Sequence, residues 1–157
     1  MPANIGDKAP FFKLVSSEKA EVSLSDYAGK NVVLLFFPLA FTGVCTTELC
    51  TMRDDLTYYN GMNAEVIGVS VDSPFTLEKY KAEQNLNFPL LSDFNKEASR
   101  AYDSLYEEFP AFGMRGVSKR SAYVIDKEGV VQHKEICASP GDLPNFDAIK
   151  ETLSNLN

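Results

Sequence analysis

Apolar and polar positions along the chain fall into blocks whose period changes between strand-like and helix-like. Residues 11–15 (FFKLV) and 21–24 (EVSL) predict a short opening hairpin. Residues 31–37 (NVVLLFF) are almost continuously apolar, as expected of a strand covered on both faces. From Gly43 onward, Leu49, Met52, Leu56 and Tyr59 recur at helical spacing and predict a helix. Residues 64–71 (AEVIGVSV) predict a second buried strand. Asp72-Ser73-Pro74 supplies a helix start, with Ser73 as cap, Pro74 at the first helical position, and Leu77 and Tyr80 facing inward. A short strand at 88–91, a helix at 96–102 and a hairpin over 121–132 turning at 126–129 follow. Phe146, Ile149, Leu153 and Leu156 then mark an amphipathic C-terminal helix. Strands alternating with helices predict an α/β fold, a three-layer α/β/α sandwich on a mixed central sheet with an N-terminal hairpin extension. Thioredoxin-like topology fits this order best. No internal repeat or Gly/Ser/Pro linker interrupts it, so one domain over residues 1–157 is expected.

Composition narrows the class. Of 157 residues, 45% are apolar and 24% are charged, which excludes wholesale disorder, and Phe (11) with Tyr (7) supplies ample aromatic surface for a core. Fifteen basic against twenty-two acidic side chains give a net charge of -7, which repels phosphate backbones and makes nucleic acid an unsuitable partner. The apolar run at 32–37 is far short of the roughly twenty residues that span a bilayer. Residues 1–7 (MPANIGD) offer neither a basic nor an apolar leader pattern, so a cytoplasmic location is expected. No P-loop, G-x-G-x-x-G or G-x-S-x-G occurs, and no cofactor is expected.

The three cysteines, Cys45, Cys50 and Cys137, are too few and odd in number for a secreted disulfide framework. Cys45 falls just past the first long strand, in the first turn of the following helix. Unpaired N–H groups and the helix dipole favour negative charge there, hence the nucleophilic thiolate. Thr42, three residues earlier, can cap the helix or reach the sulfur. Cys50 lies about 140° around the same helix and roughly 7.5 Å along it. If the two cysteines pair, the helix must unwind, because a disulfide needs Cα atoms closer than about 7 Å. A small apolar cysteine buried under the helix is the alternative for Cys45, a helix-face cysteine with no task that for Cys50, and filler is the expectation for Cys137.

At this point the residues resemble a known family. Residues 38–45 (PLAFTGVC) have the P-x-x-x-T-x-x-C form of the peroxiredoxin active site, and Thr46-Thr47-Glu48 is similar to the family's continuation of that motif. Segments 68–73 (GVSVDS), 91–93 (LSD) and 120–126 (RSAYVID) resemble further family stretches in the expected order. The five-residue step between two cysteines resembles the peroxiredoxin Q (bacterioferritin comigratory protein) branch. The resemblance implies a peroxidase for hydrogen peroxide and organic hydroperoxides. Cys45 would attack the peroxide and become sulfenic acid, which Cys50 would resolve within the same chain. It further implies Arg120 beside the sulfur, Thr42 hydrogen-bonding thiolate and peroxide, and Pro38 shielding the site. Val44 and Glu48 would contact substrate, Val44 through its backbone N–H. The implied reductant is a thioredoxin-like or glutaredoxin-like protein, and the implied assembly a monomer or homodimer.

Three features temper the match. Ala122-Tyr123 stands where Thr-Phe is usual, residues 107–119 fit the family poorly, and Glu48 could equally be a solvated helix-start carboxylate. Two other chemistries compete. A thiol-disulfide oxidoreductase would share the fold but normally needs C-x-x-C, absent here. A metal site would draw on Cys45, Cys50, His133 and Cys137, whose spacing fits no common zinc pattern.

Overall fold

The computed structural model describes residues 3–156. Its strands are β1 (Lys13–Ser16), β2 (Glu21–Ser23), β3 (Asn31–Phe36), β4 (Ala64–Ser70), β5 (Leu90–Ser92), β6 (Ser121–Ile125) and β7 (Val131–Ile136). They form one sheet in the order β2-β1-β5-β4-β3-β6-β7. β3, β4 and β5 are mutually parallel, and the β1–β2, β1–β5, β3–β6 and β6–β7 pairs are antiparallel. The sheet is therefore mixed, as expected.

Every residue of β3 is buried, and alternate side chains enter different cores. Val33 and Leu35 join Leu49, Met52, Tyr59, Leu77, Tyr80, Ile149 and Leu153 on one face. These come from α1 (Gly43–Asp54), α2 (Leu56–Gly61), α3 (Pro74–Gln84) and α5 (Phe146–Leu156). Val32, Leu34 and Phe36 meet Phe12, Ala98, Tyr102, Tyr123 and Ile125 on the other, beneath α4 (Glu97–Ala101). A strand packed on both sides has no wet face to write in polar residues, hence its unbroken apolar run.

Two elements differ from the sequence expectation. The helix predicted from Gly43 through Tyr59 is broken at Asp55, whose backbone leaves helical geometry (φ -100, ψ 8). Aspartate competes poorly for helix interiors, and the Asp55 carboxylate is drawn instead to Lys150 Nζ at 3.0 Å. β7 extends to Ile136, four residues past the predicted Gln132. It is an edge strand with half-buried side chains, so its polar sequence does not advertise it.

The parallel strands deliver their carboxyl ends to one rim of the sheet. There Asp72, just past β4, accepts hydrogen bonds from the Ala40 N–H at 2.8 Å and the Ser70 hydroxyl at 2.6 Å. The loop after β3 is thereby tied to the next strand. Ser73 caps α3 by accepting from the Thr76 N–H at 3.2 Å, with Pro74 inside the first turn as predicted. The buried Asp93 carboxylate accepts from the Ala98 and Ser99 N–H groups at 3.0 and 2.6 Å, serving the start of α4.

Close packing leaves no room at Gly68 of β4, where an added Cβ would lie 2.8 Å from Leu90 Cδ2 and 3.4 Å from the Phe37 ring. Gly68→Val is expected to cost roughly 1–3 kcal/mol by overpacking. Urea unfolding checks this: the midpoint should fall with an unchanged slope, and an unmoved midpoint would contradict the packing account.

Candidate active site

The site forms where β3 gives way to α1. Pro38 is buried just past the strand, and Thr42 takes extended backbone geometry (φ -99, ψ 152) at the helix N-cap. The first bond into the helix runs from the Thr46 N–H to the Thr42 carbonyl at 3.0 Å. The N–H groups of Gly43, Val44 and Cys45 therefore have no hydrogen-bond acceptor among the described residues. They form the positive end of the helix dipole. Cys45 is fully buried beside them.

Arg120 reaches this sulfur from the residue before β6. Its guanidinium is 2% exposed and donates from Nη2 to Cys45 Sγ at 3.2 Å. Nη2 also donates to the Pro140 carbonyl at 2.9 Å, Nε to the same oxygen at 3.3 Å, and Nη1 to Glu48 Oε1 at 2.7 Å. The Arg120 carbonyl accepts from the Cys137 N–H at 2.9 Å, so the backbone is pinned as well as the head group.

Glu48 corrects one expectation, that of a solvated helix-start carboxylate. It is 0% exposed. One oxygen is paired to Arg120, and the other, Oε2, has no hydrogen-bond partner among the described residues. Burial pushes this carboxyl up to about 7 against the attraction of Arg120, and Glu135 adds to the rise.

Thr42 requires a correction too. Its hydroxyl neither caps the helix nor touches the sulfur but donates to the Leu39 carbonyl at 2.8 Å. The side chain has turned back along its own loop, and it must release Leu39 before it can donate elsewhere. Val44 is half-buried and borders the opening. Cys50 lies on the same unbroken helix as Cys45, its thiol 3.7 Å from Gln84 Oε1, and both are free thiols. Cys137 is buried, and desolvation pushes its thiol up to about 11, unsuited to nucleophilic work near neutrality. His133 sits on β7, 3.9 Å from Glu135. Among the described residues no three His, Cys, Asp or Glu side chains gather in a cation-holding group.

The opening above Arg120 is a cavity of about 290 Å³ bordered by Pro38, Leu39, Thr42, Gly43, Val44, Phe109, Phe112, Met114, Pro140 and Gly141. Sequence reasoning misses Pro140 and sees Asp72 only as part of a helix start, since a backbone acceptor and a loop tether leave no side-chain signature. The spacing of Tyr80 marks it only as core, yet its hydroxyl bonds Thr46 at 2.9 Å, bracing the first turn of α1. Another cavity, bordered by Lys8, Phe11, Tyr27 and Lys127, lies at the opposite end of β3 and holds none of the site residues.

A buried cysteine at a helix head, on the rim of a mixed α/β sheet, belongs to the thioredoxin-like class of folds. Comparison with known proteins is more specific: residues 5–134 match the model of the AhpC/TSA family. The chain is 39% identical over 155 residues to the mitochondrial thioredoxin-dependent peroxide reductase of Bos taurus, covering 92% of this chain and 56% of that protein. It thus spans about half the length of such curated relatives. The reduced 2-Cys peroxiredoxin of Plasmodium vivax superposes with a TM-score of 0.83 at 33% identity, covering 96% of this chain and 80% of that one. A cysteine-to-serine mutant of Xylella fastidiosa PrxQ superposes at 0.86 and 27%, covering 97% and 96%. The chain belongs to the AhpC/TSA family of peroxiredoxins.

The elevated Glu48 titration carries a stability consequence. Folded, Glu48 holds its proton to about pH 7; unfolded, it releases it near the ordinary value of 4.5. Between these values the folded state binds more protons, so stability falls as pH rises through the window. Glu48→Gln removes that titration. Urea midpoints of the wild type should therefore decline relative to the variant from about pH 4.5 to about pH 7; parallel curves would refute the assignment.

Proposed function

We propose that this chain is a thiol peroxidase that reduces hydroperoxides through Cys45. The observation carrying this reading is the Arg120 guanidinium 3.2 Å from the Cys45 sulfur, both buried at the head of α1. A fixed cation and unpaired N–H groups favour a sulfur anion there, and they equally favour the negative charge that builds on a breaking O–O bond. The thiolate attacks one peroxide oxygen, a sulfur–oxygen bond forms and the O–O bond breaks. Cys45 becomes the sulfenic acid, and the departing alkoxide or hydroxide takes up a proton to leave as alcohol or water. Pro38 and the apolar border limit access of bulk water to the sulfur. Arg120 stays put throughout, held by Glu48 and Pro140.

Cys50 completes the cycle in this reading. Its sulfur attacks the Cys45 sulfenic sulfur, water departs, and a disulfide remains. With α1 intact the two residues stand about 140° apart around the helix axis, so the first turns must unwind for the bond to close. A dithiol protein of thioredoxin-like or glutaredoxin-like kind then returns two electrons. The names of the thioredoxin-dependent relatives support the former. A cycle of free thiols suits a reducing compartment such as the cytoplasm.

Cys45→Ser should abolish peroxide consumption, whereas Cys50→Ser should keep the first turnover and halt recycling. A single-turnover assay separates them, and equal loss from both would contradict this division of labour. Oxidation should also speed amide exchange across residues 43–51, read by mass spectrometry after peroxide treatment. Unchanged protection there would count against helix unwinding.

A further inference from the structure

We propose that Tyr80 and Gln84 of α3 are positioning residues for the second step of the cycle: their side-chain bonds to Thr46 and Cys50 hold α1 wound, and so set how long the Cys45 sulfenic acid waits for Cys50. This deepens the peroxidase reading and rests on Cys50 as the resolving cysteine.

The contact is a polar seam between two helices. Tyr80 and Gln84 stand one turn apart on α3, and Thr46 and Cys50 one turn apart on α1, so each pair shares a helix face. The Tyr80 and Thr46 hydroxyls bond at 2.9 Å, and the Cys50 thiol donates to Gln84 Oε1 at 3.7 Å. Thr46 differs here from the other threonines of α1. Thr47 and Thr51 donate back into their own helix, to the Gly43 and Thr47 carbonyls at 3.1 and 2.8 Å. The Tyr80 ring is fully buried beside Phe37 and Phe41, at 6.3 and 4.9 Å between centroids, so its hydroxyl is held in place. Past Cys50 the seam becomes an anchor. Arg53 Nη1 donates at 2.6 Å to the Gln84 carbonyl, which closes α3 and has no partner within that helix. Asn87 Nδ2 donates to the Arg53 carbonyl at 3.3 Å.

Closing the Cys45–Cys50 bond breaks the front of this seam and leaves the back in place. Cys50 must part from Gln84 to reach Cys45, and unwinding the first turns carries Thr46 away from Tyr80. The half-buried Thr46 hydroxyl then meets water, whereas the Tyr80 hydroxyl is left among aromatic rings. A buried hydroxyl without a partner is costly, so the wound, dithiol form is favoured. In the step itself the two sulfurs bond, the S–O bond of the sulfenic acid breaks, and the hydroxide leaves as water with the Cys50 proton. Until then a second hydroperoxide can transfer one oxygen to the sulfenic acid, giving the sulfinic acid and an alcohol or water. The strength of the seam thus divides Cys45 between closure and loss.

Tyr80→Phe removes the hydroxyl and keeps the ring, and Gln84→Met removes the acceptor and keeps the carbonyl that Arg53 uses. Both retain side-chain bulk, so packing is preserved. Quenched flow with mass spectrometry measures Cys45 oxidation and disulfide closure as separate rate constants. Equilibration with a dithiol of known potential measures the Cys45–Cys50 couple. A hydrogen bond of this kind is worth about tenfold in the equilibrium it biases. Closure should therefore be about tenfold faster in Tyr80→Phe and faster still in the double variant, with Cys45 oxidation within about twofold of the wild type. The potential in Tyr80→Phe should become about 30 mV more negative, the tenfold change expressed for two electrons, because only the dithiol form loses the bond. A bond that served the fold in both forms would leave the potential unmoved. An unmoved potential or closure rate in the double variant would overturn the proposal while leaving the peroxidase reading intact, as would an equal change in both rate constants. Oxidised Cys45 that bonds Cys137 or another chain would overturn the proposal and the role of Cys50 together. A wild type whose Cys45 does not react with hydroperoxide would overturn the peroxidase reading as well.

Discussion

A guanidinium cut off from water is expensive unless its donors are met, and the whole rim of this molecule is organised around meeting those of Arg120. Its partners differ in kind: a carboxylate from α1, a carbonyl from the loop before α5, and a sulfur at the helix head. The first two do not involve the sulfur. They hold the cation aimed, so no reorganisation is needed when charge develops at residue 45. Glu48 is buried because Arg120 is there, and Arg120 can be buried because Glu48 and Pro140 are there. Neither would be tolerated alone.

The fold brings these partners together from distant parts of the chain. β3 and β6 are antiparallel neighbours, which places the end of one strand beside the start of the other. Phe36 pairs with Ser121, so α1 begins where Arg120 arrives. Asp72 holds the intervening loop from the next strand over, and Tyr80 braces the first helical turn from α3. The reactive group thus stands at the meeting point of packed elements.

How much of this is legible in the sequence depends on the range of the interaction. β3 can be read because burial on both faces leaves a continuous apolar run, and α3 because Ser73 and Pro74 signal locally. Cys45 is conspicuous from its place after a strand. Arg120 is not: residue types alone do not separate it from Arg115, which is exposed with a distant partner in Glu108 at 3.9 Å. The family resemblance supplies what the pattern cannot. Glu48 misleads because a carboxylate in the first turns of a helix is ordinarily solvated. Its partner lies 72 positions further along the chain. Thr42 misleads for the opposite reason, since its hydroxyl finds an acceptor three residues back, nearer than the helix it is expected to cap.

The break at Asp55 bears on what happens when α1 is disturbed. A single rod from Gly43 to Gly61 would transmit fraying at its head toward the Tyr59 anchor in the core. Asp55 divides it into two segments that hydrogen bonds still link, the Asp55 N–H donating to the Thr51 carbonyl and the Tyr59 N–H to that of Asp55. The second is clamped at its entrance by Lys150 from α5. Because Leu49 and Met52 of the front segment share a core with Tyr59, any opening of α1 is resisted by that packing as well as by the helix's own hydrogen bonds.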